Sequence, residues 1–377
     1  MRIALVADWL TVFGGAEHTI AEFLTIWPEA PLFTAVARQG ALGPLDRAQI
    51  HTSTLQPVYN VLRRHQWLFP WMPRAIESLD LQGYDVILSS SHAVAKGVIP
   101  PSRTIHMCYC HTPMRYAWEM EEEYLDAFGI PQLLRSIIKR SLKKARRWDL
   151  STAKRVDVFL ANSLETQRRI QRIYGRESTV IYPPVHDRFF KTPLLHCTER
   201  SYYLAIGRLV PYKRFDLAVA LANARKLPLK IVGTGQEHAR LKTLAGPTVE
   251  FIGHARDEEL PRLYAGARAL LFPQHEDAGI VPLEAQACGT PVIAYDKGGA
   301  RETIVRDETG VFFRGQSIES LAEALDHSTH ISFDPETLRL HARIFSSERF
   351  REQIQRVVEE TWSRYHMRDA ETRSTVA

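Results

Sequence analysis

The sequence predicts an α/β protein made of two doubly wound, Rossmann-like domains facing a central cleft. Short apolar runs alternate with helical patterns along the whole chain, as parallel βαβ units require. The runs fall into two successive groups of six. Between the groups, PPVHDRFFKTPLLHCTERS (183–201) carries prolines and charges with no period. The expected division is a first domain over 1–184, a linker over 185–200 and a second domain over 201–345. An amphipathic helix follows over 346–366, then a disordered tail over 367–377.

At 377 residues the chain is long enough for two separate cores. Hydrophobic residues make up 45% and charged residues 24%, which excludes fibrous and low-complexity classes. The net charge is +5 and unevenly spread. No stretch approaches the roughly 18 apolar residues of a spanning helix, and MRIALVADWL reads as a strand without signal-peptide anatomy. Four cysteines without a framework fit a reducing compartment. The expected location is cytoplasmic.

In the first half the strand candidates are RIALVAD (2–8), PLFTAV (31–36), DVILSS (85–90), IHMCYC (105–110), VFLANS (158–163) and STVIYP (178–183). Gly14 and Gly15 follow the first strand and open a helix. A glycine pair there lets backbone approach a ligand, and the helix start favours phosphate or a carbohydrate oxygen. A nicotinamide enzyme would need G-x-G-x-x-G at this place, and FGGAEH lacks it. Cys108 and Cys110, flanked by His106 and His111, alternate with Met107 and Tyr109 as inward strand residues would. No second Cys or His cluster stands at zinc-like spacing, so packing is expected and a metal is not.

His111 begins HTPMRYAWE, straight after a strand; its imidazole can hydrogen-bond a sugar or structure the loop before Pro113. Arg115, Tyr116 and Trp118 either line an acceptor cleft or pack that loop. Residues 130–155 hold nine Lys or Arg, with Leu133, Leu134, Ile137, Ile138 and Leu142 at helical spacing and Trp148 suited to an interface. VYNVLRRHQWLFPWMPR (58–74) adds aromatics between basic residues. This pattern either grips an anionic membrane or packs a charged helix on the sheet.

The second half offers YYLAIG (202–207), LKIVG (229–233), VEFIG (249–253), ALLFP (269–273), PVIAY (291–295) and GVFF (310–313). Arg208 and Lys213 lie in GRLVPYK just past the first of these strands. A guanidinium fork and a point charge there can neutralise a diphosphate and stabilise it as a leaving group. In HEDAGIVPLEAQACGTPV, Glu276 and Glu284 stand eight residues apart. Gly279 permits a tight turn, Pro282 suits a first helical turn and Gly289 ends the helix. Glu276 then lies in a loop at the carboxyl end of a strand, and Glu284 about one and a half turns into the next helix. Backbone N–H groups near Gly279, Ile280 and Val281 favour an anion. One carboxylate can hold sugar hydroxyls and the other ribose hydroxyls while the backbone holds the diphosphate. Taken alone, E-x7-E is more readily a helix start with solvated acids.

GGAEHTI near the start, IGRLVPYKRFD at the start of the second half, the Glu276 loop with A-x-x-C-G-T-P-V-I-A, and GGARETI occur in the order found in retaining GT-B glycosyltransferases. The chain resembles glycosyltransferase family 4 over nearly its whole length. HTPMRYAW resembles, more narrowly, bacterial surface-polysaccharide mannosyltransferases, whose group often uses GDP-mannose or related GDP-sugars. The resemblance implies that the last helix crosses back onto the first domain. It also implies that Gly233 belongs to a second glycine loop and that Ile252, Gly253 and His254 pack on the base. By the same analogy, Glu276 positions the transferred sugar, His111 contacts it and Glu284 binds the ribose. The implied reaction moves a hexose, with retention, to a polyprenyl-diphosphate-linked glycan; if the basic pattern of 130–155 and 58–74 grips membrane, it does so peripherally at the inner face of the cytoplasmic membrane. No resident cofactor, metal or nucleic-acid partner is implied. The rival readings are a UDP-sugar transferase, a nucleotide-sugar epimerase of the same fold, and a non-catalytic basic module that binds nucleic acid or membrane.

Overall fold

The computed structural model describes residues 1–119, 121 and 132–376. It divides into two units, 1–182 with 350–377, and 183–349. The first unit is built on a fully parallel sheet of β1 (Ile3–Ala7), β2 (Leu32–Thr34), β3 (Ile50–Thr52), β4 (Val86–Ser91), β5 (Ile105–Cys110), β6 (Val158–Ala161) and β7 (Ser178–Val180), in the order β3-β2-β1-β4-β5-β6-β7. The second sheet is also parallel. It comprises β8 (Tyr202–Ile206), β9 (Leu229–Val232), β10 (Val249–Gly253), β11 (Ala267–Phe272), β12 (Val292–Tyr295) and β13 (Gly310–Phe313), in the order β10-β9-β8-β11-β12-β13.

Both orders reverse direction once, between β1 and β4 and between β8 and β11. In doubly wound sheets that reversal opens a crevice at the carboxyl ends of the strands. The strands are legible because a parallel sheet covered on both faces needs near-continuous apolar runs. Val86–Ser91 and Ile105–Cys110 are buried along their full length. β3 is the exception; it is a three-residue edge strand whose His51 and Thr52 are exposed, so no apolar run announces it.

The segment expected to be a linker is packed into the second unit. Pro183 begins that unit, Val185 bridges to Ser346, and Phe189 in the short helix Asp187–Phe190 is buried. The last helix, Ser347–Val376, runs past residue 366, where the sequence reading ends it. Phe350, Ile354 and Val358 stand four residues apart on one helical face and join Phe23 and Tyr109 in the core of the first unit. Arg351 donates to Glu22 at 2.6 Å beside them.

The basic helix Gln132–Thr152 packs its apolar side inward. Leu142 and Ala145 are buried in the same core as Ile138 and Trp148. Trp148 is therefore not free for an interface: its indole donates to Glu77 at 2.9 Å, and a Cβ on Gly97 would meet its ring at 2.3 Å. Residues 130 and 131, and the side chains of Leu133, Leu134 and Ile137, lie outside the described residues. Among the described residues no helix is long and apolar enough to cross a membrane.

Candidate active site

In the second unit the loops after β8 and β11, the strands flanking the reversal, bring the predicted residues together. Lys213 Nζ donates to Glu276 Oε1 at 2.7 Å, and both side chains are largely enclosed. Gln274 donates to the same oxygen at 3.2 Å. Gly207 sits at φ +146°, and a Cβ there would stand 2.8 Å from Lys213 Nζ, so the glycine keeps the lysine's path open. The Glu276 loop is shaped from behind by GGARETI. Gly299 N–H donates to the Glu276 carbonyl at 2.8 Å. A Cβ on Gly298 would approach that carbonyl to 2.3 Å, and one on Gly299 would approach the Asp277 carbonyl to 2.6 Å. Two consecutive glycines are what let this turn close.

Gly279, at φ +64°, is the N-cap of helix Ile280–Ala287, which has no side-chain cap. The N–H groups at this helix start are thus available to an acceptor of negative charge. Gly233 serves packing: a Cβ there would overlap the Gly207 carbonyl at 1.9 Å, and its N–H donates to Gly253 at 2.7 Å. Arg208 and His254 are exposed.

Glu284 Oε2 accepts a hydrogen bond from the Tyr264 hydroxyl at 2.7 Å. Burial pushes the Glu284 carboxyl up to about 7; Tyr264 and Arg188 pull against that, and Asp257 and Glu276 add to it. Tyr264 was not singled out from the sequence. Its one signal was a phenol on an otherwise apolar helical face, which needs a partner when buried.

The first unit gathers a second group at the ends of β1, β4 and β5. Gly14 caps helix Gly15–Ile26, but its N–H donates to Glu17 Oε2 at 3.1 Å. This helix start already holds a carboxylate, whose pKa burial raises, so it suits a hydroxyl better than a phosphate. His111 Nε2 lies 2.8 Å from Ser90 Oγ, and its carbonyl accepts from Thr166. The buried Asp8 accepts from the backbone of His92, Ala93, Val94 and Ala95 and pairs with His92 Nδ1 at 2.8 Å. Burial alone would raise the Asp8 pKa, but His92 and these donors hold it at about 2. Trp9 lies between His65, stacked at 4.9 Å, and His92, edge-on at 4.8 Å. Sequence reasoning missed this cluster because Asp8 and His92 are 84 residues apart.

Trp118 packs its loop: its indole donates to Asp149 at 2.7 Å under the Arg146 guanidinium. The Tyr116 side chain is outside the described residues. Cys108 and Cys110 are buried in the core with Phe159 and Ile170.

Residues 13–189 match the family model described as Glycosyltransferase Family 4, and residues 187–339 match Glycosyl transferases group 1. The GDP-mannose-dependent alpha-(1-6)-phosphatidylinositol monomannoside mannosyltransferase of Mycobacterium tuberculosis is 33% identical over 198 residues, which is 45% of this chain and 51% of that protein. A GDP-mannose-dependent alpha-mannosyltransferase of the same organism is 38% identical over 127 residues, 33% of either chain. The chain thus spans about half the length, or less, of these curated relatives. Among solved structures, Anabaena HepE in complex with UDP-glucose superposes with a TM-score of 0.69 at 18% identity, covering 96% of this chain and 100% of that one. That likeness is one of fold.

Proposed function

Because the chain belongs to the glycosyltransferases, a family 4 domain followed by a group 1 domain, we propose that it transfers a hexose with retention from a nucleotide-diphosphate sugar to a glycan acceptor. The donor is GDP-mannose and the acceptor a polyprenyl-diphosphate-linked oligosaccharide of surface polysaccharide synthesis. The observation that carries the reading is the Lys213–Glu276 pair beside an uncapped helix start at the sheet reversal. A diphosphate entering there meets one ammonium and a set of backbone N–H groups. Lys213 turns to the phosphate, and the released Glu276 accepts from hydroxyls of the transferred sugar. The leaving phosphate oxygen takes the acceptor's proton on the face from which it departs. Charge is balanced by Lys213, Arg208 and the helix start, so this reading assigns no resident metal or cofactor a role. GDP-mannose-dependent relatives support the donor assignment.

A panel of GDP- and UDP-sugars offered with lipid-linked acceptors tests the reading. Mannosyl transfer from GDP-mannose with the anomeric configuration kept is the expected result. Preferential turnover of a UDP-sugar, or an inverted product, would overturn the corresponding part. His111→Ala is expected to lower turnover about tenfold to a hundredfold while leaving GDP affinity by calorimetry within twofold, since the contact assigned to it is with the transferred sugar and not with the nucleotide. A matching fall in GDP affinity would remove its sugar-contacting role.

The same reading puts the enzyme at the cytoplasmic membrane face. Support comes less from the basic helix than from residues 58–74, where Val61 is 81% exposed, Trp67 61% and Trp71 57%, among the exposed Arg63, Arg64 and Arg74. Indoles interleaved with arginines suit the boundary of an anionic bilayer. The protein should co-sediment with anionic vesicles at low salt and less at high salt. Trp67→Ser with Trp71→Ser should weaken that binding more than replacing Lys139, Arg140, Lys143 and Lys144 by Gln. Equal binding to neutral and anionic vesicles would end the membrane reading.

A further inference from the structure

Tyr264 is a fully buried phenol that donates to a carboxylate beside the candidate diphosphate site. Its ring lies edge-on to Phe189, with centroids 5.7 Å apart at 76°, and its carbonyl accepts from Thr290 at 2.7 Å. The tyrosine is therefore held at its backbone by Thr290 and at its ring by Phe189 before any ligand arrives. Its hydroxyl reaches from helix Leu260–Ala265, which precedes β11, to helix Ile280–Ala287, which follows it. Burial raises the Tyr264 pKa well above its ordinary value, so the hydroxyl stays a donor across any working pH.

A glutamate on its own is a poor template for a diol, because rotation about its last torsion is broad. The Tyr264 bond to Oε2 removes that freedom, and among the described residues Oε1 carries no hydrogen bond. A carboxylate held in one plane presents lone pairs on both oxygens to two adjacent hydroxyl donors, the arrangement of a ribose 2′,3′-diol. We propose that Tyr264 is the positioning residue of the ribose subsite, locking Glu284 so that the site selects ribonucleotide over deoxyribonucleotide donors. This rests on the reading of Glu284 as the ribose ligand and adds the group that makes it selective.

The electrostatic surroundings supply an independent readout. Glu284 is faced by Tyr264, by Arg188 from helix Asp187–Phe190, by Asp257 and by Glu276, with Cys288 on its own helix. Its pKa is raised to about 7, and the Tyr264 hydrogen bond is the largest influence holding it down. Binding of a diol donor to the carboxylate should thus strengthen as pH rises through 7. Removing the hydroxyl should move that midpoint upward.

Calorimetry on the full chain at pH 8 with GDP and 2′,3′-dideoxy-GDP tests the proposal, repeated with the uridine pair. Wild type should prefer GDP by about tenfold, the scale of one charge-assisted hydrogen bond. Tyr264→Phe, which keeps the ring and its packing, should bring GDP close to the dideoxy value and leave the dideoxy nucleotide unchanged. Glu284→Ala should do the same, and the double variant should lose no more than either alone. For GDP-mannose, whose phosphates do not titrate near 7, the pH midpoint of binding should rise in Tyr264→Phe. Equal losses on both nucleotides would mean that Tyr264 only supports the fold. Retained preference with an unmoved midpoint would also overturn the proposal. A wild type blind to the ribose hydroxyls would instead defeat Glu284's role, and the selection built on it, while leaving the Lys213 site intact.

Discussion

Glu276→Gln is expected to lower turnover about a hundredfold while nucleoside diphosphate binds more tightly. The two effects have opposite signs because Glu276 does two things. Its carboxylate accepts from the transferred sugar, and losing a contact that matters most in the transition state costs about 3 kcal/mol of activation free energy. Without donor, the same carboxylate neutralises Lys213 at 2.7 Å. An incoming diphosphate must displace it, and the displaced charge then repels the phosphates. The amide removes both penalties, a gain on the order of 1 kcal/mol for a partly enclosed pair. Initial rates with GDP-mannose and calorimetry with GDP measure the two halves separately. Undiminished turnover would remove Glu276 from the reaction, and weaker GDP binding would show that the pair is not a competitor of the nucleotide.

Lys213→Ala should have the largest effect on nucleotide affinity, a loss on the order of 2–3 kcal/mol for a charge-assisted contact to phosphate. Thermal stability should also fall, because Glu276 is left enclosed without its cation. Lys213→Met combined with Glu276→Gln separates the two consequences: it should regain stability, since both charges are gone, and regain no affinity. A Lys213→Ala variant that binds GDP and UDP as wild type does would refute the diphosphate assignment, whatever its stability. Arg208, being exposed, should matter less to affinity than Lys213.

How much of this was legible in the chain depended on whether the signal was local. The parallel strands were, because each is an apolar run in its own right, and so were Lys213, Glu276 and Gly279, which sit at strand ends beside turn residues. β3 was not, since a three-residue edge strand buries too little to impose a pattern. The place of Trp148 was not legible for a different reason. An amphipathic helix looks the same whether its apolar side meets lipid or a sheet, and only Glu77 and Gly97, more than fifty residues away, decide the matter. Tyr264 and the Asp8–His92 pair belong to the same class: each needs its partner in view before either residue looks unusual. Gly298 and Gly299 were visible as a pair, but their purpose, admitting the Glu276 loop, was not.

The last helix has a consequence for biosynthesis. Phe350, Ile354 and Val358 close the core around Phe23 and Tyr109, yet they are translated after the whole of residues 183–349. The first half of the polypeptide therefore leaves the ribosome with an apolar face that stays uncovered until the second unit has emerged. The second unit, contiguous in sequence, can finish folding first. Until the helix docks, that face of the nascent first unit stays exposed, and a fragment ending at residue 182 should aggregate where one spanning 183–349 stays in solution.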